Sequence, residues 1–139
     1  MSSFAEPSPL LLSVLAGVAE SLRPLTGPAV NVQSVSPTET VLAPGWGEPS
    51  GQPPAFLVQA DVDGQDFAFH VHEGGSAAEQ SWRCAQALMD AAQEAVGSTP
   101  YPPCPGHRHP MTVERDGERV YWCCPGAPRV PVAPITQGF

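Results

Sequence analysis

Residues 55–72 read AFLVQADVDGQDFAFHVH, two alternating runs around Asp63-Gly64. Asp-Gly is the composition of a two-residue type I′ turn, whose central positions both need positive φ. Pairing Val62 with Gln65 sets Ala60 opposite Phe67, Val58 opposite Phe69 and Phe56 opposite Val71. These side chains share one face. The other face carries Leu57 beside His70, Gln59 beside Ala68 and Asp61 beside Asp66. Turn chemistry and apolar alternation demand the same register, and a one-residue slip would turn the apolar set to water. An antiparallel hairpin with one buried face is therefore the centre of the fold.

The elements that cover this face flank it. Upstream, Ser8 suits an N-cap and Pro9 the first helical position. Leu11, Leu12, Leu15, Val18, Ala19 and Leu22 recur at helical spacing and predict a helix over 9–23, stopped by Pro24 and Gly27. Downstream, Ser76-Ala-Ala-Glu79 is a capping box. It opens a helix over 76–96 with a buried stripe of Trp82, Ala85, Leu88, Met89, Ala92 and Val96, Cys84 lying off that stripe. Strands over 29–35 and 39–42 join the hairpin strands 55–62 and 65–72. The expectation is an α+β body over 1–99: a three- to four-stranded antiparallel meander packed by an N-terminal and a central helix. A C-terminal hairpin over 100–126 and an extended Pro-rich tail over 127–139 follow it.

The 139 residues hold 18 Pro and 13 Gly, so much of the chain is loop. The net charge is −8, all six cations are Arg, and Lys is absent. The acidity is local: residues 1–99 carry 11 acids and 2 bases, residues 100–139 carry 3 acids and 4 bases. An acidic body repels phosphate backbones, which argues against nucleic acid as a partner. The apolar run Leu10 to Ala19 is too short to span a bilayer and has no basic residue before it, so no membrane role is expected. A cytoplasmic chain is the expectation, and there four cysteines favour thiols or metal ligands over disulfides.

The chemistry-bearing residues gather late in the chain. Residues 104–126 read CPGHRHPMTVERDGERVYWCCPG, with a second Asp-Gly turn signal at Asp116-Gly117. A turn there brings Cys104-Pro-Gly-His107 beside Cys123-Cys124-Pro125-Gly126. Both ends carry the Cys-Pro-Gly pattern of a zinc knuckle, and the segment resembles a zinc ribbon. That resemblance implies a structural tetrahedral zinc whose closed shell of thiolates and imidazoles supports a small loop-rich unit. A second knuckle would place a ligand at position 127, which is Ala127 here. The expected ligand set is Cys104, His107, His109 and Cys124. Cys123 in place of one histidine is the alternative, although adjacent strand residues point to opposite sides.

His70 and His72 form a second, weaker candidate metal pair on the outer face of the central hairpin. Trp46, between Gly45 and Gly47 in the Pro-rich loop 43–54, is a candidate partner-binding anchor. No phosphate-binding Gly loop and no nucleophile-elbow sequence is present. The expected function is a small acidic protein-interaction or adaptor module with a structural zinc-binding hairpin, non-enzymatic, binding another protein or itself. A metal-dependent hydrolase or oxygenase using the histidine pairs is one alternative. A small-ligand-binding protein with a pocket of Phe56, Phe67, Phe69 and Trp82 is another.

Overall fold

A computed structural model describes residues 6–23, 30–37, 55–97, 100–104, 108–126 and 130–135. The expected strand at 39–42 and loop at 43–54 lie outside these residues. The described elements are α1 (Pro9–Leu22), β1 (Val30–Pro37), β2 (Ala55–Val62), β3 (Gln65–His72), α2 (Ala77–Val96), β4 (Thr112–Asp116), β5 (Arg119–Cys124) and β6 (Val130–Pro134). They form an α+β fold with two antiparallel three-stranded sheets, ordered β1-β2-β3 and β4-β5-β6.

The β2–β3 register is the one the alternation demands, from Val62 opposite Gln65 to Phe56 opposite Val71. Asp63 and Gly64 have φ of 51° and 78°, the paired positive values of a type I′ turn. Phe56, Val58, Ala60, Val62, Phe69 and Val71 are buried. On β1 the register shifts between Val32 and Ser34, so Gln33 is the extra residue of a bulge. Its side-chain amide donates to Asp61 Oδ1 at 3.1 Å and Asp66 Oδ1 at 3.2 Å across the polar face.

Both helix caps follow from sequence. Ser8 Oγ accepts from the Leu11 amide and Ser76 Oγ from the Glu79 amide, each at 3.1 Å. Gly75 has φ +85°, a backbone conformation that L side chains rarely adopt, so glycine suits the turn into α2. The Ser8 amide also donates to Glu73 Oε1 at 2.7 Å, tying the start of α1 to the end of β3.

The two helices pack on each other and lie between the sheets. α1 touches β1 on one side and β6 on the other, while α2 touches β2 and β3 on one side and β4 and β5 on the other. This sandwiching rotates the buried arcs from those expected. On α1, Val14 is buried and Leu12 is 45% exposed. On α2, Ala78, Ser81, Cys84, Ala85, Leu88 and Ala92 are buried, whereas Trp82, Met89 and Val96 are half-buried. A helix covered on two sides hides a wider arc than one lying on a single sheet, and Cys84 falls inside it.

One apolar cluster joins both sheets and both helices. Met111, Val113, Val120 and Trp122 of the C-terminal segment share it with Leu11, Leu15, Phe56 and Leu88. The expected extended tail is extended at 130–134 and is paired: Val130 lies opposite Cys124 and Pro134 opposite Tyr121. Pro131 and Pro134 donate nothing to a ladder, which an edge strand tolerates.

Candidate metal centre

The C-terminal sheet builds its site from two ends. At one end, Gln93 Oε1 on α2 accepts from the Tyr101 amide at 2.7 Å. Pro103 then bridges Pro110, and the Met111 amide donates to the Pro102 carbonyl at 2.9 Å. These contacts hold the segments that carry Cys104 and His109 side by side. At the other end, Cys124 is the last residue of β5, paired on one side to β6. The two-residue turn falls at Gly117-Glu118, one residue later than the expected Asp116-Gly117, because Asp116 pairs with Arg119 and Gly117 takes the positive φ of 61°. The ladder from Asp116–Arg119 to Thr112–Cys123 then carries Cys124 back beside Cys104 and His109.

Cys104 Sγ, a ring nitrogen of His109 and Cys124 Sγ all lie within 4.8 Å of one another. Among the described residues this is the one group of three such donors. Cys124 Sγ stands 3.8 Å from His109 Nε2. Zinc bond lengths of about 2.3 Å to sulfur and 2.0–2.1 Å to nitrogen place tetrahedral S and N ligands about 3.6 Å apart. The observed pair is within a few tenths of an ångström of that spacing. Cys104 and Cys124 are 4% and 6% exposed, and His109 is half-buried.

The ring of His109 is oriented for a ligand role. Its Nδ1 lies 3.2 Å from the Pro110 carbonyl oxygen. A carbonyl only accepts, so Nδ1 carries the proton in that contact. Nε2 then faces Cys124, the usual outer-contact arrangement of a metal-bound histidine. Burial pushes the Cys104 thiol up, and its hydrogen bond with Cys124 and the like charges of Cys124 and Cys123 push it the same way. A cation among the three donors opposes that trend by favouring thiolate. The donor set therefore fits a metal ion that prefers thiolate and imidazole.

All four cysteines are thiols rather than disulfide partners. Cys123 is buried, its Sγ donating to the Cys124 carbonyl at 3.4 Å, and it stands outside the three-donor group. His107 and Trp46 lie outside the described residues. His70 and His72 are exposed on the outer face of β3 and join no three-donor group among the described residues. Phe56 and Phe69 are core residues, and Phe67 stacks on Phe69 with ring centroids 6.1 Å apart. Comparison with protein-family models, with curated proteins and with solved structures returns no match.

The supports of the site carry no sequence signal. The Gln93 clamp on Tyr101 and the Pro110 carbonyl under His109 involve common residue types at unremarked spacing. Among the described residues no helix is long and apolar enough to cross a membrane.

Proposed function

We propose that this protein is a small acidic interaction module whose C-terminal sheet is pinned by one structural zinc. Cys104, His109 and Cys124 hold the ion, and His107, the remaining donor of the Cys104–His109 loop, completes the shell. The carrying observation is the gathering of two buried thiols and one oriented imidazole within 4.8 Å. Soft thiolates with imidazole suit zinc above magnesium or calcium, which take oxygen ligands. Near-complete burial of both cysteines favours a closed structural site over a catalytic one, which keeps a position open to substrate.

The interaction half of this reading rests on the second sheet's outer side. A cavity of about 370 Å³ lies there, lined by Asp116, Arg119, Tyr121, Pro131, Val132 and Pro134. Tyr and Arg are enriched at binding surfaces. The proposed partner is another protein.

Metal content of the purified protein tests the zinc half. The expected result is one zinc per chain, lost in Cys104→Ala and Cys124→Ala and kept in His70→Ala and His72→Ala. Loss of metal in the His70 or His72 variants, with retention in Cys104→Ala, would favour the alternative enzyme built on the histidine pairs. For the interaction half, a strict monomer in mass photometry with no co-purifying chain counts against it.

A further inference from the structure

The two thiols of the centre stand in an arrangement that zinc does not exhaust. Cys104 and Cys124 come from different elements, are separated by a 20-residue span of sequence, and place their sulfurs within 4.8 Å of each other. Cys123 is adjacent to Cys124 in sequence, yet its thiol donates to the Cys124 carbonyl and is not a member of the three-donor group. Vicinal cysteines on a strand project to opposite sides, so Cys123–Cys124 closure would distort β5, whereas the sulfurs of Cys104 and Cys124 already stand within 4.8 Å. The centre is also bordered by exposed residues: Arg108, Pro110, Pro125 and Gly126. Cys104 and Cys124 themselves keep 4% and 6% of their surface exposed, the approach left to an oxidant as small as hydrogen peroxide.

We propose that Cys104 and Cys124 are a redox couple that closes to a disulfide under peroxide, replacing the metal as the pin of the second sheet. This rests on the zinc reading for the metal it displaces, and on the sulfur geometry alone for the bond it forms. The reaction balances with a peroxide as oxidant. One thiol sulfur takes an oxygen from hydrogen peroxide and becomes a sulfenic acid as the first water leaves. The second sulfur attacks the first, the S–S bond forms, and the hydroxyl departs as another water, its proton coming from the second thiol or, where the metal has already displaced that proton, from solvent. The two sulfurs lose two electrons in total and the peroxide gains them. A disulfide is no longer a pair of thiolate ligands, so the remaining imidazoles hold zinc weakly. The new bond crosslinks the same two ends of the sheet that the ion held, so the fold persists across the change.

The experiment treats the purified full chain with hydrogen peroxide and reads three quantities. These are zinc released to a chromophoric chelator, intact mass, and the crosslinked peptides after digestion with remaining thiols blocked. The expected result is a mass loss of about 2 Da per chain, a Cys104–Cys124 crosslink, and release of zinc in step with it. Cys123→Ser should give the same crosslink and the same release. A Cys123–Cys124 or Cys104–Cys123 crosslink as the main product overturns the proposal. So does progression to sulfinic acid with no crosslink. If the protein carries no zinc as purified, the zinc reading fails by itself, and the crosslink map still decides the redox couple. If zinc is present and remains bound after the crosslink forms, the displacement fails while the zinc reading stands.

Discussion

Trp122 Nε1 donates to Ser21 Oγ over 2.8 Å, and Ser21 Oγ donates in turn to the Val18 carbonyl over 2.6 Å. The indole is fully buried in β5, and the serine sits in the last turn of α1, 101 residues away in sequence. This relay is a polar tie between the N-terminal helix and the C-terminal sheet inside an otherwise apolar contact. Ser21→Ala leaves the indole N–H without its acceptor, which costs roughly 1–3 kcal/mol. Trp122→Phe removes both the donor and a large part of the packed volume and should cost more. Urea unfolding of the two single variants and the double variant measures the coupling. A double variant no worse than Trp122→Phe is expected, because the serine then has nothing to receive. Additive losses would mean that the tie contributes nothing.

Metal removal should weaken the second sheet. A ligand bound only by the folded chain stabilises it by about 4 kcal/mol at a thousand times its Kd. For a domain of this length that corresponds to a fall in Tm of roughly 14 °C on chelation. Cys104→Ala should start near the chelated value and respond little to chelator. Differential scanning calorimetry with and without a chelator makes the comparison. An unchanged Tm in the parent protein would remove the structural metal from the account.

How much of this fold is legible in sequence depends on the element. The β2–β3 pairing is fully legible because Asp63-Gly64 and the Phe56/Val58/Ala60 alternation state the register twice. The caps at Ser8 and Ser76 are legible because each needs only its own few neighbours. The buried arcs of the helices are not, because they depend on how many layers cover them. Cys84 reads as off-stripe against one sheet and becomes core once a second sheet lies on α2. β6 is hidden for another reason: Pro131 and Pro134 read as breakers unless the strand is known to be an edge. At the site, Cys104 and Cys124 are legible through the Asp116-Gly117 signal, whose turn falls one residue later, at Gly117-Glu118, and still brings the two segments together. His109 belongs to the expected set through its place in Cys104-Pro-Gly-His-Arg-His109; the orientation of its ring is not legible, since it rests on the Pro103–Pro110 bridge and the Pro110 carbonyl, neither of which has a sequence signature.

The central hairpin offers a clean backbone test. Gly64 holds φ +78° with nothing within 4 Å of where a Cβ would stand. Gly64→Ala therefore introduces conformational strain without a clash, at a cost of about 1–2 kcal/mol. Asp63→Asn keeps a residue type that tolerates φ of 51° and should change stability by less than about 0.5 kcal/mol. Chemical denaturation of the two variants side by side is the measurement. Equal stability of Gly64→Ala and the parent would mean that the turn is not type I′ in solution. Because the hairpin lies on the far side of the helices from Cys104, His109 and Cys124, metal content should be the same in all three proteins.

Alkaline pH should destabilise the fold through two buried acids. Burial pushes the Cys84 thiol from an ordinary 9.0 up to about 12, with the nearby Arg83 guanidinium offsetting part of the effect. Burial likewise pushes the Tyr101 hydroxyl from 10.0 up to about 12. Both groups give up their proton at lower pH in the unfolded chain than in the fold. From about pH 9 to 12 the unfolded chain binds fewer protons, so stability falls as pH rises; below about pH 9 neither group contributes to the slope. Cys84→Ala and Tyr101→Phe each remove one of these slopes, the first beginning near pH 9 and the second near pH 10. Each variant is less stable than the parent at neutral pH because it loses packed or bonded atoms. Its deficit should therefore shrink as pH rises, since the parent alone carries the penalty of keeping that proton. Urea midpoints for parent and variants from about pH 8 to about pH 11 give the deficit directly, and titrations common to both proteins cancel. A deficit that stays constant across that range would place the corresponding side chain in contact with water rather than in the layer between the sheets.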